Sequence, residues 1–193
     1  MLVEYQNELK MNYLQLCDYL HQKYGKPSGD YFLTKTCKSP NQKIKRANEG
    51  LFIHHIKENT YIMLCNTSFA ITQPFEYQEA QNLVYCNYLE HFILHLKIMQ
   101  EYLTYESMLE NKCKVGIGGI LNYIVPEIND YFKGYPYQRE WQIKAFEKVD
   151  KETFKELKEI TLDFIEERLG FITNEEKMLA HLVLRKGRGK MLP

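Results

Sequence analysis

The sequence predicts an α+β fold, a small β-hairpin plus helix embedded in a mainly α-helical chain. Residues 51–56 and 61–65 are short β-prone runs separated by the turn Lys57-Glu58-Asn59-Thr60, which predicts a hairpin. Beyond Tyr88, apolar residues recur at helical spacing through most of the chain. Four of the six histidines fall in the first of these strands and in the first helix after the hairpin.

The elements follow in order. Tyr5, Leu9, Tyr13, Leu16 and Leu20 predict a helix over residues 2–24, which Gly25-Lys26-Pro27-Ser28-Gly29-Asp30 ends. Residues 31–34 read as a short strand or a continuing turn, and 38–50 as a basic loop. Residues 66–80, with Pro74 in the middle, read as loop, and 82–86 as a short apolar piece. Leu89, Phe92, Leu96, Met99 and Leu103 give a helix over 88–108 its apolar face. Helices are further expected over 116–132, broken at Pro126, and over 138–149. Asp150 caps the next, which ends at Leu169-Gly170, and Thr173-Asn174-Glu175-Glu176 forms a capping box for a final helix to about 184. The basic, glycine-rich 186–190 tail is expected to fray. Three regions result: 1–49, an N-terminal helix and basic loop; 50–109, the hairpin and its helix; and 110–193, a C-terminal helical region.

Composition narrows the function classes. With 193 residues, 45% hydrophobic and 26% charged, the chain can build one sizeable core. Lys+Arg and Asp+Glu balance at 25 each, so the chain lacks the overall excess of a strongly basic nucleic-acid binder, and basic residues are only locally clustered. The five cysteines form no Cys-x-x-Cys pair, which argues against a disulfide framework or a four-cysteine zinc site and suits free thiols in a reducing cytoplasm. Cys65 and Cys86 lie in apolar runs and are expected to be buried. Neither a signal peptide nor a membrane-spanning run is evident, so a soluble, cytoplasmic protein is expected.

The chemistry concentrates in the histidines. His91 and His95 are spaced i, i+4 and share one helical face, which suits two ligands of one metal ion. His54 and His55 are strand neighbours and point to opposite faces. One of them can complete a three-imidazole set, while the other stays free as a base that titrates near neutral pH. His21 and His181 stand in predicted helices without evident partners.

The pattern resembles the HNH, or ββα-metal (His-Me finger), endonucleases, in a colicin-DNase-like arrangement. The residues that carry the resemblance are His54-His55-Ile56, Asn82-Leu83, and His91 with His95, Asn82 preceding His91 by nine positions. It spans residues 50–96, about a quarter of the chain. His54 stands where Asp is commoner, the stretch between His55 and Asn82 is long, and paired-cysteine zinc knuckles are absent. The resemblance implies that His54, His91 and His95 hold one divalent ion per chain (Mg2+, Mn2+, Ni2+ or Zn2+). It also implies that His55 is the general base and that Asn82 orients it, with Glu90 as a lesser supporting group. The activity implied is phosphodiester hydrolysis in nucleic acid, double-stranded DNA first, as in restriction, phage defence or mobile elements. Lys43, Lys45, Arg46 and Lys57 are candidate phosphate contacts, and a homodimer would suit double-strand cutting. The alternatives are a non-catalytic, zinc-stabilised binding or regulatory protein and an RNA-directed nuclease or toxin. Gly116-Ile117-Gly118-Gly119 lacks the Gly-Lys-Ser/Thr of a phosphate loop and reads as a helix-opening turn. Trp141 is either a core anchor or a contact residue.

Overall fold

Residues 2–102, 115–136, 139–167 and 174–186 are described by a computed structural model. The fold is α+β: mainly helical, with one small two-stranded antiparallel sheet. Strand β1 (Phe52–His55) pairs with β2 (Leu83–Cys86), placing His55 opposite Leu83 and His54 opposite Val84. The helices are α1 (Gln6–Lys10), α2 (Tyr13–Tyr24), the short α3 (Thr67–Ala70), α4 (Tyr88–Tyr102), α5 (Ile117–Gly119), α6 (Val125–Phe132), α7 (Glu140–Glu147), α8 (Lys151–Glu167) and α9 (Asn174–His181).

The hairpin differs from expectation. Residues 61–65 form no strand, and the partner of β1 is instead the apolar piece that directly precedes α4. Within the expected strand, Met63 adopts φ +56, which breaks an extended run and turns Leu64 fully into the core. Residues 31–34 contribute only an isolated bridge, Phe32 to Pro40.

The N-terminal helix divides at Asn12. The Asn12 side chain accepts from the Gln15 N–H while the Gln15 side chain accepts from the Asn12 N–H, a capping box that starts α2 inside an otherwise helical pattern. Pro126 does not break its helix. Residues Ile120–Ile124 form a π-helical turn, in which the Val125 N–H reaches back to the Ile120 carbonyl. The wider i→i−5 turn comes directly before Pro126, which sits in the first turn of α6 and has no N–H to give to a carbonyl four residues back. Asp150 caps α8 through Thr153, as expected. The expected ends at 103–108 and 169–170 and the Thr173 box lie outside the described residues.

Helix α4 is the centre of the molecule. Phe92, Ile93, Leu94, Leu96, Ile98 and Met99 are all fully buried. One apolar cluster joins them to Leu16 of α2, Val84 of β2, Ile128 of α6, Leu157 of α8 and Val183. The three regions expected from the sequence thus share one core. Trp141 on α7 packs edge-on against Phe52, 5.8 Å between ring centroids. No helix of the described residues is long and apolar enough to cross a membrane.

Candidate metal centre

β2 runs through Asn87 straight into α4, and a second capping box fixes the junction. The Glu90 N–H donates to Asn87 Oδ1 at 2.9 Å, and the Asn87 N–H to Glu90 Oε2 at 2.7 Å. Glu90 is therefore a structural carboxylate. Its other oxygen accepts from Lys23 Nζ at 2.7 Å and from the Tyr24 hydroxyl at 3.0 Å. It is not among the groups of the histidine cluster.

With α4 set in this way, His91 and His95 face β1. One ligand nitrogen from each of His54, His91 and His95 lies within 4.8 Å of the others. Nε2 of His91 and Nε2 of His95 are 3.2 Å apart. The His54 ring centroid is 5.3 Å from that of His91 and 5.2 Å from that of His95.

Tyr13, buried on α2, decides the state of His54. Its hydroxyl donates to the Ile56 carbonyl at 2.8 Å and also lies 2.9 Å from His54 Nε2. Having given its proton to Ile56, the hydroxyl can only accept from His54, so the His54 proton sits on Nε2. The lone pair on Nδ1 is left buried and without a hydrogen-bond partner. Burial holds His54 and His91 well below their usual pKa and brings His95 to about 4; neighbouring imidazoles add to the effect on His54 and His91, while the Gly116 carbonyl opposes it on His95. Three imidazoles with converging nitrogens could hold a metal ion.

His55 faces the other way along β1, as strand alternation requires. Its ring packs on Tyr31, 4.5 Å between centroids, and Nε2 lies 2.9 Å from Gln78 Oε1. Gln78 donates its amide N–H to the Leu64 carbonyl at 3.2 Å, which leaves its oxygen to accept from His55 Nε2–H. Nδ1 of His55 then carries a free lone pair and has no hydrogen-bond partner. Burial pushes the His55 pKa down to about 4, and the Gln78 bond opposes this.

Gln78 thus occupies the position expected of Asn82. The Asn82 side chain donates instead to the Glu76 carbonyl at 2.7 Å and ties down the turn that carries Gln78. Gln78 carried no sequence signal, because its contact depends on the path of the loop between the strands.

Glu58 was also missed. It sits in the 3-10 turn Ile56–Asn59 directly after β1. Its Oε2 lies 3.5 Å from His54 Nδ1 and 3.7 Å from His95 Nε2. Burial raises its pKa to about 7, opposed by a hydrogen bond from the Leu64 N–H. The i, i+4 spacing from His54 was its only trace in the sequence.

The glycine motif closes over the cluster. At Gly119 a Cβ would fall 2.5 Å from His95 Nδ1, and at Gly116, where φ is +79, it would meet the His95 carbonyl and the Met99 nitrogen at 2.6 Å. The motif opens α5, as expected of a helix-opening turn, and backs the His95 ring. His55, Glu58, His91, His95, Gly119 and Tyr123 border one pocket of about 550 Å³.

Other candidates fall elsewhere. Arg46 binds Glu49 and the Tyr24 carbonyl and covers the Tyr85 ring, so its guanidinium is committed to the fold. Lys43 and Lys45 are exposed. Lys57 Nζ lies over Tyr77, 5.9 Å from the ring centre. Cys17, Cys37, Cys65 and Cys86 are free thiols, and Cys113 lies outside the described residues. Cys86 is buried as expected, whereas Cys65 is exposed, since the residues around it turn rather than pair as a strand. His21 and His181 do have partners, the Leu83 carbonyl and Glu166. Comparison with protein-family models, with curated proteins and with solved structures returns no match.

Proposed function

We propose that this protein is a metal-dependent endonuclease of the HNH type, hydrolysing phosphodiester bonds in DNA. One observation carries the reading. Three imidazole nitrogens converge within 4.8 Å, while the neighbouring His55 has an unpartnered Nδ1 and borders the pocket that His91 and His95 also line. The order β1, β2, α4, with the cluster histidines on the first strand and on the helix, is similar to that expected of a ββα-metal finger and supports the reading.

In this reading His54, His91 and His95 hold the ion. When bound, the ion offsets charge on the scissile phosphate and on the leaving oxygen. His55 Nδ1 takes a proton from water as the water oxygen attacks phosphorus, and Gln78 holds the Nε2–H so that Nδ1 remains the acceptor. The bond from phosphorus to the 3′ oxygen breaks, and that oxygen takes a proton from solvent water, giving a 3′-hydroxyl and a 5′-phosphate. A base with a lowered pKa is fully unprotonated at neutral pH, although it is a weaker acceptor for it. Exposed Lys43 and Lys45, and Lys57, are the basic residues proposed to meet the phosphate backbone.

A second reading, a non-catalytic protein stabilised by zinc, is favoured by Glu58 standing beside His54 and His95 and by the full burial of His55. Plasmid DNA and RNA cleavage by chelator-stripped protein, with Mg2+, Mn2+, Ni2+ or Zn2+ restored singly, separates the readings. The nuclease reading expects cleavage that returns with at least one ion. Metal-dependent folding with no cleavage of either substrate would favour the second reading.

A further inference from the structure

We propose that Glu58 is a fourth protein ligand of the centre, giving a set of three imidazoles and one carboxylate. The inference rests on the three-histidine reading above and adds a residue to it.

Ligands bonded at roughly 2.0–2.2 Å to one ion stand about 3–3.5 Å apart when they are neighbours on its coordination shell. His91 Nε2 and His95 Nε2 are 3.2 Å apart, Glu58 Oε2 is 3.5 Å from His54 Nδ1, and it is 3.7 Å from His95 Nε2. The first two spacings fall within that range and the third lies just beyond it, so Glu58 stands next to the cluster of His54, His91 and His95, on the side of His54 and His95, and a small shift of its carboxylate completes the set. The His54 nitrogen that it approaches has no hydrogen-bond partner.

The Glu58 side chain is 13% exposed, and among the described residues its ion-pair partners are His54 and His95 alone.

Glu58 sits in the 3-10 turn directly after β1, four residues beyond His54, which brings its carboxylate next to His54 and His95. A carboxylate in the set would leave a net single positive charge after a divalent ion binds, and would extend the donor set toward harder ions such as Mn2+.

The test uses the full chain, stripped with chelator and titrated with Co2+. Visible absorption reports the ligand field, and competition with Zn2+ reports affinity. Glu58→Gln is expected to lower affinity by more than the roughly 10–100-fold typical of losing a group behind a ligand, and to shift the Co2+ bands. Unchanged affinity and unchanged bands in Glu58→Gln would overturn the Glu58 assignment while leaving the three-histidine site intact. Failure of the wild type to bind Co2+, or equal binding by His91→Ala, would instead overturn the underlying reading. Crystals of the wild type grown with Zn2+ give an answer that does not depend on the variant folding. A Glu58 oxygen at about 2.0–2.2 Å from the anomalous peak supports the assignment, and one well beyond that range overturns it.

Discussion

The Tyr13 hydroxyl fixes the proton of His54 on Nε2, because it donates to the Ile56 carbonyl and can only accept at 2.9 Å from the imidazole. A helix remote in sequence thereby determines which nitrogen of a strand histidine faces the cluster. Tyr13→Phe removes the acceptor and leaves a buried N–H unpaired. Metal affinity is expected to fall by about 10–100-fold, with a stability loss of about 1–3 kcal/mol. Chelator-dye competition and denaturant melts of the metal-free protein measure the two separately.

Gly119→Ala places a methyl group 2.5 Å from His95 Nδ1, so the ring must leave its position. Weaker metal binding is expected, with a destabilisation of about 1–3 kcal/mol. Gly116→Ala meets backbone rather than a side chain and also requires φ +79, so it should cost more stability than Gly119→Ala. Thermal unfolding of the two variants side by side checks the order.

Gln78→Leu removes the acceptor for His55 Nε2–H and frees the imidazole to place its proton on either nitrogen. Cleavage is expected to slow by about 10–100-fold while metal affinity stays at the wild-type value. Gln78→Glu keeps an acceptor at that place and should retain more activity than Gln78→Leu. Single-turnover cleavage rates at saturating metal distinguish the pair.

Asp150 gives a pH dependence away from the centre. Hydrogen bonds from the Thr153 hydroxyl and N–H lower its pKa from 3.8 to about 2. Because the folded value lies below the unfolded one, this stabilisation is complete above about pH 4 and is lost as the pH falls through 2. Asp150→Asn keeps a capping oxygen but does not titrate there, so its stability should depend less on pH between 4 and 2. Asp150→Ala should cost about 1 kcal/mol at neutral pH. Denaturant midpoints across that range test both.

What the sequence made legible follows physical locality. Helix α4 was readable because its buried residues recur at helical spacing, and the His91–His95 pair because i, i+4 residues share a face. The break at Asn12 was hidden beneath a continuous apolar period that a two-residue capping exchange overrides. The partner of β1 was misread because residues 61–65 and 83–86 are equally apolar. Only the turn at Met63, together with the capping box that joins β2 to α4, selects the second of them. Gln78 and Glu58 reach their histidines from a turn and a loop whose paths have no periodic signature. Arg46, chosen for its charge, is occupied by Glu49 and Tyr24, contacts that a linear reading does not display.

The central claim divides the four histidines between holding an ion and moving a proton. Plasmid cleavage by His55→Ala, assayed with its metal bound, tests that division most directly. The account predicts a fall of about 10²–10⁴-fold in cleavage rate with metal content unchanged. Cleavage at the wild-type rate would contradict it.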